Sequence, residues 1–150
     1  QQQFRVMRVK PSDKQAEEAY RLIVDELPAP DAKPRKGIQL VMRYSLPLFV
    51  NVQNNAEPKL QWRAEKTASG KAVLVAENTG NAYAQLSNIT FQTTSAKDAL
   101  TLASGLAGYV LPGNTWKREL EVSPASLNPG RLNATVNGMP IQTEVRFAAP

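Results

Sequence analysis

The chain of 150 residues contains no cysteine and no histidine. That excludes disulfides, Ser-His-Asp and Cys-His nucleophiles, and zinc sites of the usual His/Cys kind. It leaves the redox compartment open. No apolar run approaches the ~18 residues of a membrane-spanning helix, so membrane insertion is not expected. Gln1-Gln2-Gln3 does not read as a signal peptide. Blocks of one charge are missing as well: residues 1–52 carry nine basic and six acidic side chains, and residues 53–150 carry nine and seven. The net charge of +5 is therefore spread along the chain. No Lys/Arg run is interleaved with aromatics, so nucleic acid is not an expected partner. Such modest basicity suits solubility or attraction to an acidic partner. Asp98 and Glu119 have no partner legible in the sequence, which leaves no carboxylate pair for acid–base chemistry. No enzyme, cofactor or metal is expected. Asn88-Ile89-Thr90 and Asn133-Ala134-Thr135 match the glycosylation triplet, a pattern common by chance.

What is present reads as β throughout. Hydrophobic residues make up 42%, a globular proportion, with room for one domain or for a small domain and part of another. The longest signal is Gly37 to Val50, where Ile38, Leu40, Met42, Tyr44 and Leu46 recur at every second position and share one face of an extended chain. Gln39, Arg43 and Ser45 take the other face, with Val41 the apolar exception. At roughly 3.3 Å per residue, Ile38 to Leu46 spans about 26 Å. Shorter strands are expected at Phe4–Val9 and Tyr20–Leu27, the second closed by Pro28 and Pro30. A polar stretch, Asn51 to Pro58, reads as a linker.

Beyond it, short alternating runs are separated by turn signals. They begin with Leu60, Trp62 and Ala64, continue through Ala72–Ala76 and Tyr83–Phe91, and include Tyr109–Leu111 and Trp116–Val122. Asn78-Thr79-Gly80-Asn81 and Pro112-Gly113-Asn114 mark turns, and Ser95 to Ser104 carries no clear pattern. Leu132–Val136, Asn137-Gly138 and Ile141–Phe147 read as a hairpin with a type I′ turn. Seven short strands in about 90 residues point to an immunoglobulin-like β-sandwich. Trp62 and Trp116 are expected in its core. The fold expected is all-β, divided into residues 1–52 and 53–150.

Tyr20 to Pro28, the basic loop Asp31-Ala32-Lys33-Pro34-Arg35-Lys36, and Gly37 to Phe49 resemble the periplasmic fimbrial chaperones of the chaperone–usher pathway, in their archaic, spore-coat-U-associated branch. The resemblance is specific over residues 17–50, and looser at Asn78-Thr79-Gly80-Asn81-Ala82-Tyr83. It implies two immunoglobulin-like domains, with residues 1–10, 20–28 and 38–50 similar to the last three strands of the first and with its earlier strands absent. It implies a non-enzymatic periplasmic chaperone that binds pilin subunits by donor-strand complementation and delivers them to an outer-membrane usher. Ile38, Leu40, Met42 and Tyr44 match the donor positions. A basic residue that holds the subunit's terminal carboxylate stands in many relatives where this chain has Pro47, and Arg43 is the candidate replacement. Glu26 matches an interdomain glutamate. Two further expectations are a strand-swapped homo-oligomer through the open edge, and, as the alternative function, a structural or adhesive module that self-associates through the same strand.

Overall fold

The computed structural model describes residues 3–10, 12–27, 40–50, 55–121 and 129–146, and among these every regular element is a strand. In chain order they are β1 (Glu18–Asp25), β2 (Arg43–Val50), β3 (Leu60–Lys66), β4 (Ala72–Asn78), β5 (Ala84–Thr93), β6 (Leu100–Val110), β7 (Thr115–Leu120), β8 (Gly130–Val136) and β9 (Met139–Val145). They form three antiparallel sheets, ordered β1-β2, β3-β4-β7 and β6-β5-β8-β9. The second and third sheets make the sandwich that the strand spacing implied.

Alternation builds its core. Every second residue of β4 (Ala72, Leu74, Ala76) and the inward positions of β5 (Ala84, Leu86, Ile89, Phe91) are buried, joined by Leu132 and Ala134 of β8 and Val145 of β9. Small side chains beside large ones let the two inner faces interlock. Each fully buried Leu, Ile or Phe contributes about 1.5–3 kcal/mol. Trp62 and Trp116 pack against this core, meeting edge to face at 6.4 Å. The Trp116 indole donates to the Ala107 carbonyl at 3.4 Å.

Two chain crossings between the sheets meet at Asn78, one of the two buried polar residues among those described. Its amide nitrogen donates to the carbonyls of Ala82 (2.7 Å) and Val110 (2.9 Å). Its amide oxygen accepts the N–H groups of Lys59 (3.1 Å) and Gly80 (3.0 Å). The Pro112-Gly113-Asn114 turn is present, with Gly113 at φ 72°. It carries the chain from β6 in one sheet to β7 in the other, so it is a crossing and not a hairpin.

Two elements differ from expectation. Residues 100–110, where the pattern is weak, form the eleven-residue strand β6. Its register against β5 shifts three times between Leu86 and Thr90, and the Asn88 side chain accepts the Gly105 N–H at 2.9 Å. Each bulge inserts an unpaired residue and so breaks the period of two that sequence reading depends on. Residues 3–10, expected to be a strand at Phe4–Val9, have no ladder partner among the described residues. Alternating side chains do not make a strand without a neighbour to accept the main-chain bonds.

Candidate functional site

The β1-β2 sheet pairs Glu18 with Val50 through to Asp25 with Arg43. Cross-strand partners share a face. One face is therefore apolar: Tyr20 beside Leu48, Leu22 beside Leu46, and Val24 beside Tyr44. The other carries Ala19 with Phe49, Arg21 with Pro47, Ile23 with Ser45, and Asp25 with Arg43. The regular strand begins at Arg43, later than the expected Ile38. Pairing nonetheless reaches one step further, because the Glu26 N–H donates to the Met42 carbonyl at 2.8 Å.

The apolar ladder is open to solvent. Leu40 is 84% exposed, Met42 53%, Tyr44 45% and Leu46 48%. Ile38, the first of the expected donor positions, lies outside the described residues. Met42, Tyr44 and Leu46 line a groove of about 890 Å³ together with Phe4, Val24 and Leu27. Contiguous apolar surface of this kind on one sheet face marks an interaction site or an aggregation hazard. Val6, Met7 and Val9 are exposed as well.

Backbone direction identifies the open edge. Antiparallel pairs alternate between bonded and non-bonded, and the Glu26–Met42 bond makes the even-numbered residues of β2 the inward-bonding ones. Val41, Arg43 and Ser45 then point N–H and C=O groups outward. No strand pairs with them among the described residues.

Arg43, the candidate carboxylate anchor, is already engaged. Its guanidinium forks onto Asp25, Nε to Oδ1 at 2.5 Å and Nη2 to Oδ2 at 3.0 Å, and this partner raises its pKa further. Glu26, the candidate interdomain residue, lies at the end of β1 away from the sandwich, where its carboxylate accepts the Met42 N–H at 3.1 Å. The carboxylate that reaches the sandwich is Glu17. Its Oε2 accepts the Tyr83 N–H at 2.6 Å, and its own N–H donates to the Asn81 carbonyl at 2.9 Å. Burial is the larger influence on Glu17 and raises its pKa, opposed by the Tyr83 bond. Phe49 completes the junction, stacked on Tyr83 at 3.8 Å and tilted against Tyr109 at 5.3 Å. Sequence reading missed Glu17 because its role depends on a backbone N–H 66 residues away. Glu119, which lacks a partner legible in the sequence, pairs with Lys71 at 2.7 Å.

Residues 1–54 match the family model described as pili and flagellar-assembly chaperone, PapD N-terminal domain. No curated protein matches the chain. Among solved structures, the chain is similar to one in the crystal structure of the CsuC–CsuE chaperone–tip adhesion subunit pre-assembly complex from the archaic chaperone–usher Csu pili of Acinetobacter baumannii. The identity is 27% and the TM-score 0.58; the match covers 94% of this chain and 65% of that one. This chain thus spans about two thirds of its structural relative. The pilus chaperones are a non-enzymatic class. The first 54 residues are thus similar to a pilus-assembly chaperone domain, and the fold is similar to that of a structure from the archaic chaperone–usher branch.

Proposed function

We propose that this protein is a periplasmic chaperone for pilus subunits, which lends the strand at residues 38–46 to an incomplete subunit and passes the complex to an outer-membrane usher. The observation that carries this reading is a run of exposed apolar side chains, Leu40, Met42 and Tyr44, beside a strand edge that is unpaired among the described residues. It belongs to the segment that matches the chaperone family model. The physics needs nothing more. Main-chain bonds from Val41, Arg43 and Ser45 would pair with any extended partner, and side chains entering the subunit's core would drive binding at about 1.5–3 kcal/mol each. In this reading residues 1–52 are the closing strands of an N-terminal immunoglobulin-like domain and 53–150 the second domain. Ile38 would extend the ladder by one position.

The test is co-expression with subunits of an archaic chaperone–usher pilus. The wild-type chain is expected to hold a subunit soluble in a one-to-one complex. A variant carrying Leu40→Ser, Met42→Ser and Tyr44→Ser is expected to lose it with its own circular dichroism unchanged. Retained capture by the triple variant would sink the proposal. Self-association through the same edge is the second reading, favoured by that edge having no pairing strand among the described residues. In the same experiment it would appear as a homo-oligomer that excludes the subunit.

A further inference from the structure

We infer that Met42 is an oxidation site: its conversion to the sulfoxide by a peroxide withdraws the apolar ladder from partner binding, and its reduction restores it. The inference rests on the strand-lending reading above and adds a control on that same site.

With cysteine absent, all sulfur in the chain is methionine sulfur, and no thiol competes for an oxidant. Methionine ordinarily fills gaps in cores. Here the buried core is built from Ala, Val, Leu, Ile and Phe, and all three methionines, Met7, Met42 and Met139, are exposed. Of the three, only Met42 stands in the ladder, lining the groove beside Tyr44 and Leu46. Glu26 fixes its main chain from both sides: the Met42 carbonyl accepts the Glu26 N–H at 2.8 Å, and the Met42 N–H donates to the Glu26 carboxylate at 3.1 Å. A change confined to the side chain therefore alters the ladder and leaves the pairing of β1 with β2 in place.

The chemistry needs only hydrogen peroxide. The Tyr44 hydroxyl donates to the Met42 Sδ at 3.7 Å. A thioether sulfur has two lone pairs, so this bond leaves one for the oxidant. The sulfur attacks one peroxide oxygen; the O–O bond breaks and an S–O bond forms. The proton on the transferred oxygen passes to the departing hydroxide, which leaves as water. Sulfur gives up two electrons and the peroxide takes them. The product is polar and chiral, and its oxygen accepts hydrogen bonds better than the sulfur did. A sulfoxide carried into the apolar core of a partner must shed its water there, which opposes binding. Met139 begins β9 in the sandwich and Met7 lies before β1, so oxidation of either leaves the ladder apolar. Sulfoxide reductases reverse the step, which makes it a switch and not only a lesion.

The test treats the 150-residue chain with hydrogen peroxide and quenches it. A subunit of an archaic chaperone–usher pilus, unfolded in urea, is then diluted into treated or untreated chain, and the soluble one-to-one complex is measured. Peptide mass mapping reads the gain of about 16 Da at each methionine. Treated wild type is expected to capture about tenfold less than untreated, with an unchanged circular dichroism spectrum, and to recover after incubation with methionine sulfoxide reductase. The double variant Met7→Leu, Met139→Leu should show the same loss and the same recovery. Met42→Leu is compared with its own untreated baseline and should not respond to peroxide. Three results would overturn this inference alone and leave the strand-lending reading standing. They are full capture by the double variant once Met42 is oxidised, a mass gain at Met7 and Met139 but not at Met42, or a loss of capture that accompanies a loss of the chain's circular dichroism. Absence of capture by untreated wild type would overturn the strand-lending reading and this inference with it.

Discussion

Asn78 uses both amide hydrogens and its amide oxygen in bonds to four different residues, at a position with no access to water. Replacing it with alanine strands buried carbonyls and N–H groups, each costing about 1–3 kcal/mol. Asn78→Ala is expected to lower stability by about 3 kcal/mol, read from the midpoint of urea unfolding. Glu17 carries the opposite lesson, since its ionised form is disfavoured. Its folded pKa lies above the ordinary glutamate value of 4.5, so between the two values the folded chain binds more protons than the unfolded one. Stability from this group is full below about 4.5 and declines as pH rises through the raised value. Glu17→Gln keeps an oxygen for the Tyr83 N–H and removes the titration. The variant should lose that decline and gain on wild type at pH 7, measured by urea unfolding at pH 4 and 7. Asn78 was legible as a turn residue from its neighbours Thr79 and Gly80. Its buried bonding was not, because Val110 and Lys59 are distant in the chain.

At the scale of elements, the β8-β9 hairpin was legible because its signal is local. Asn-Gly permits positive φ at both central positions, and Asn137 and Gly138 adopt 49° and 81°. Nothing lies within 4 Å of a Cβ added at Gly138, so a substitution there meets only backbone strain. Gly138→Val is expected to cost about 1–2 kcal/mol and to lower the melting temperature by about 4 °C, which scanning calorimetry would detect. Asn137 is bound more firmly, as its side chain accepts the Gln85 N–H and donates to the Tyr83 carbonyl. β6 was illegible for the converse reason. Gly105 and Gly108 take φ of 81° and 146°, and the bulges they allow displace its side chains from strict alternation. In β2 the alternation was read correctly, while the start of regular pairing at Arg43 depended on β1.

The whole molecule divides its stability unequally. The sandwich holds the buried core, whereas β1-β2 is a two-stranded sheet with exposed large apolar side chains on both strands. A lone pair of strands is marginal in water. Amides of β1 and β2 should exchange with solvent faster than those of β4 and β5, and an added subunit should slow them; equal protection in the free chain would contradict this picture. Among the described residues the junction includes Glu17 with Asn81 and Tyr83, and Phe49 against Tyr83 and Tyr109. By itself the sequence determined the all-β class, the sandwich beyond the polar stretch at 51–58, the turns at Asn78, Pro112 and Asn137, and the face that Tyr44 and Leu46 share. Those follow from side-chain period and turn chemistry, which act over a few residues. Only the tertiary structure decided that the Arg43 guanidinium forks onto Asp25. It likewise decided that the Glu17 carboxylate meets the sandwich at the Tyr83 N–H, and that β6 bends through bulges. Each of these depends on which residues from separate strands are brought within bonding distance, a matter of register and packing that no local pattern encodes.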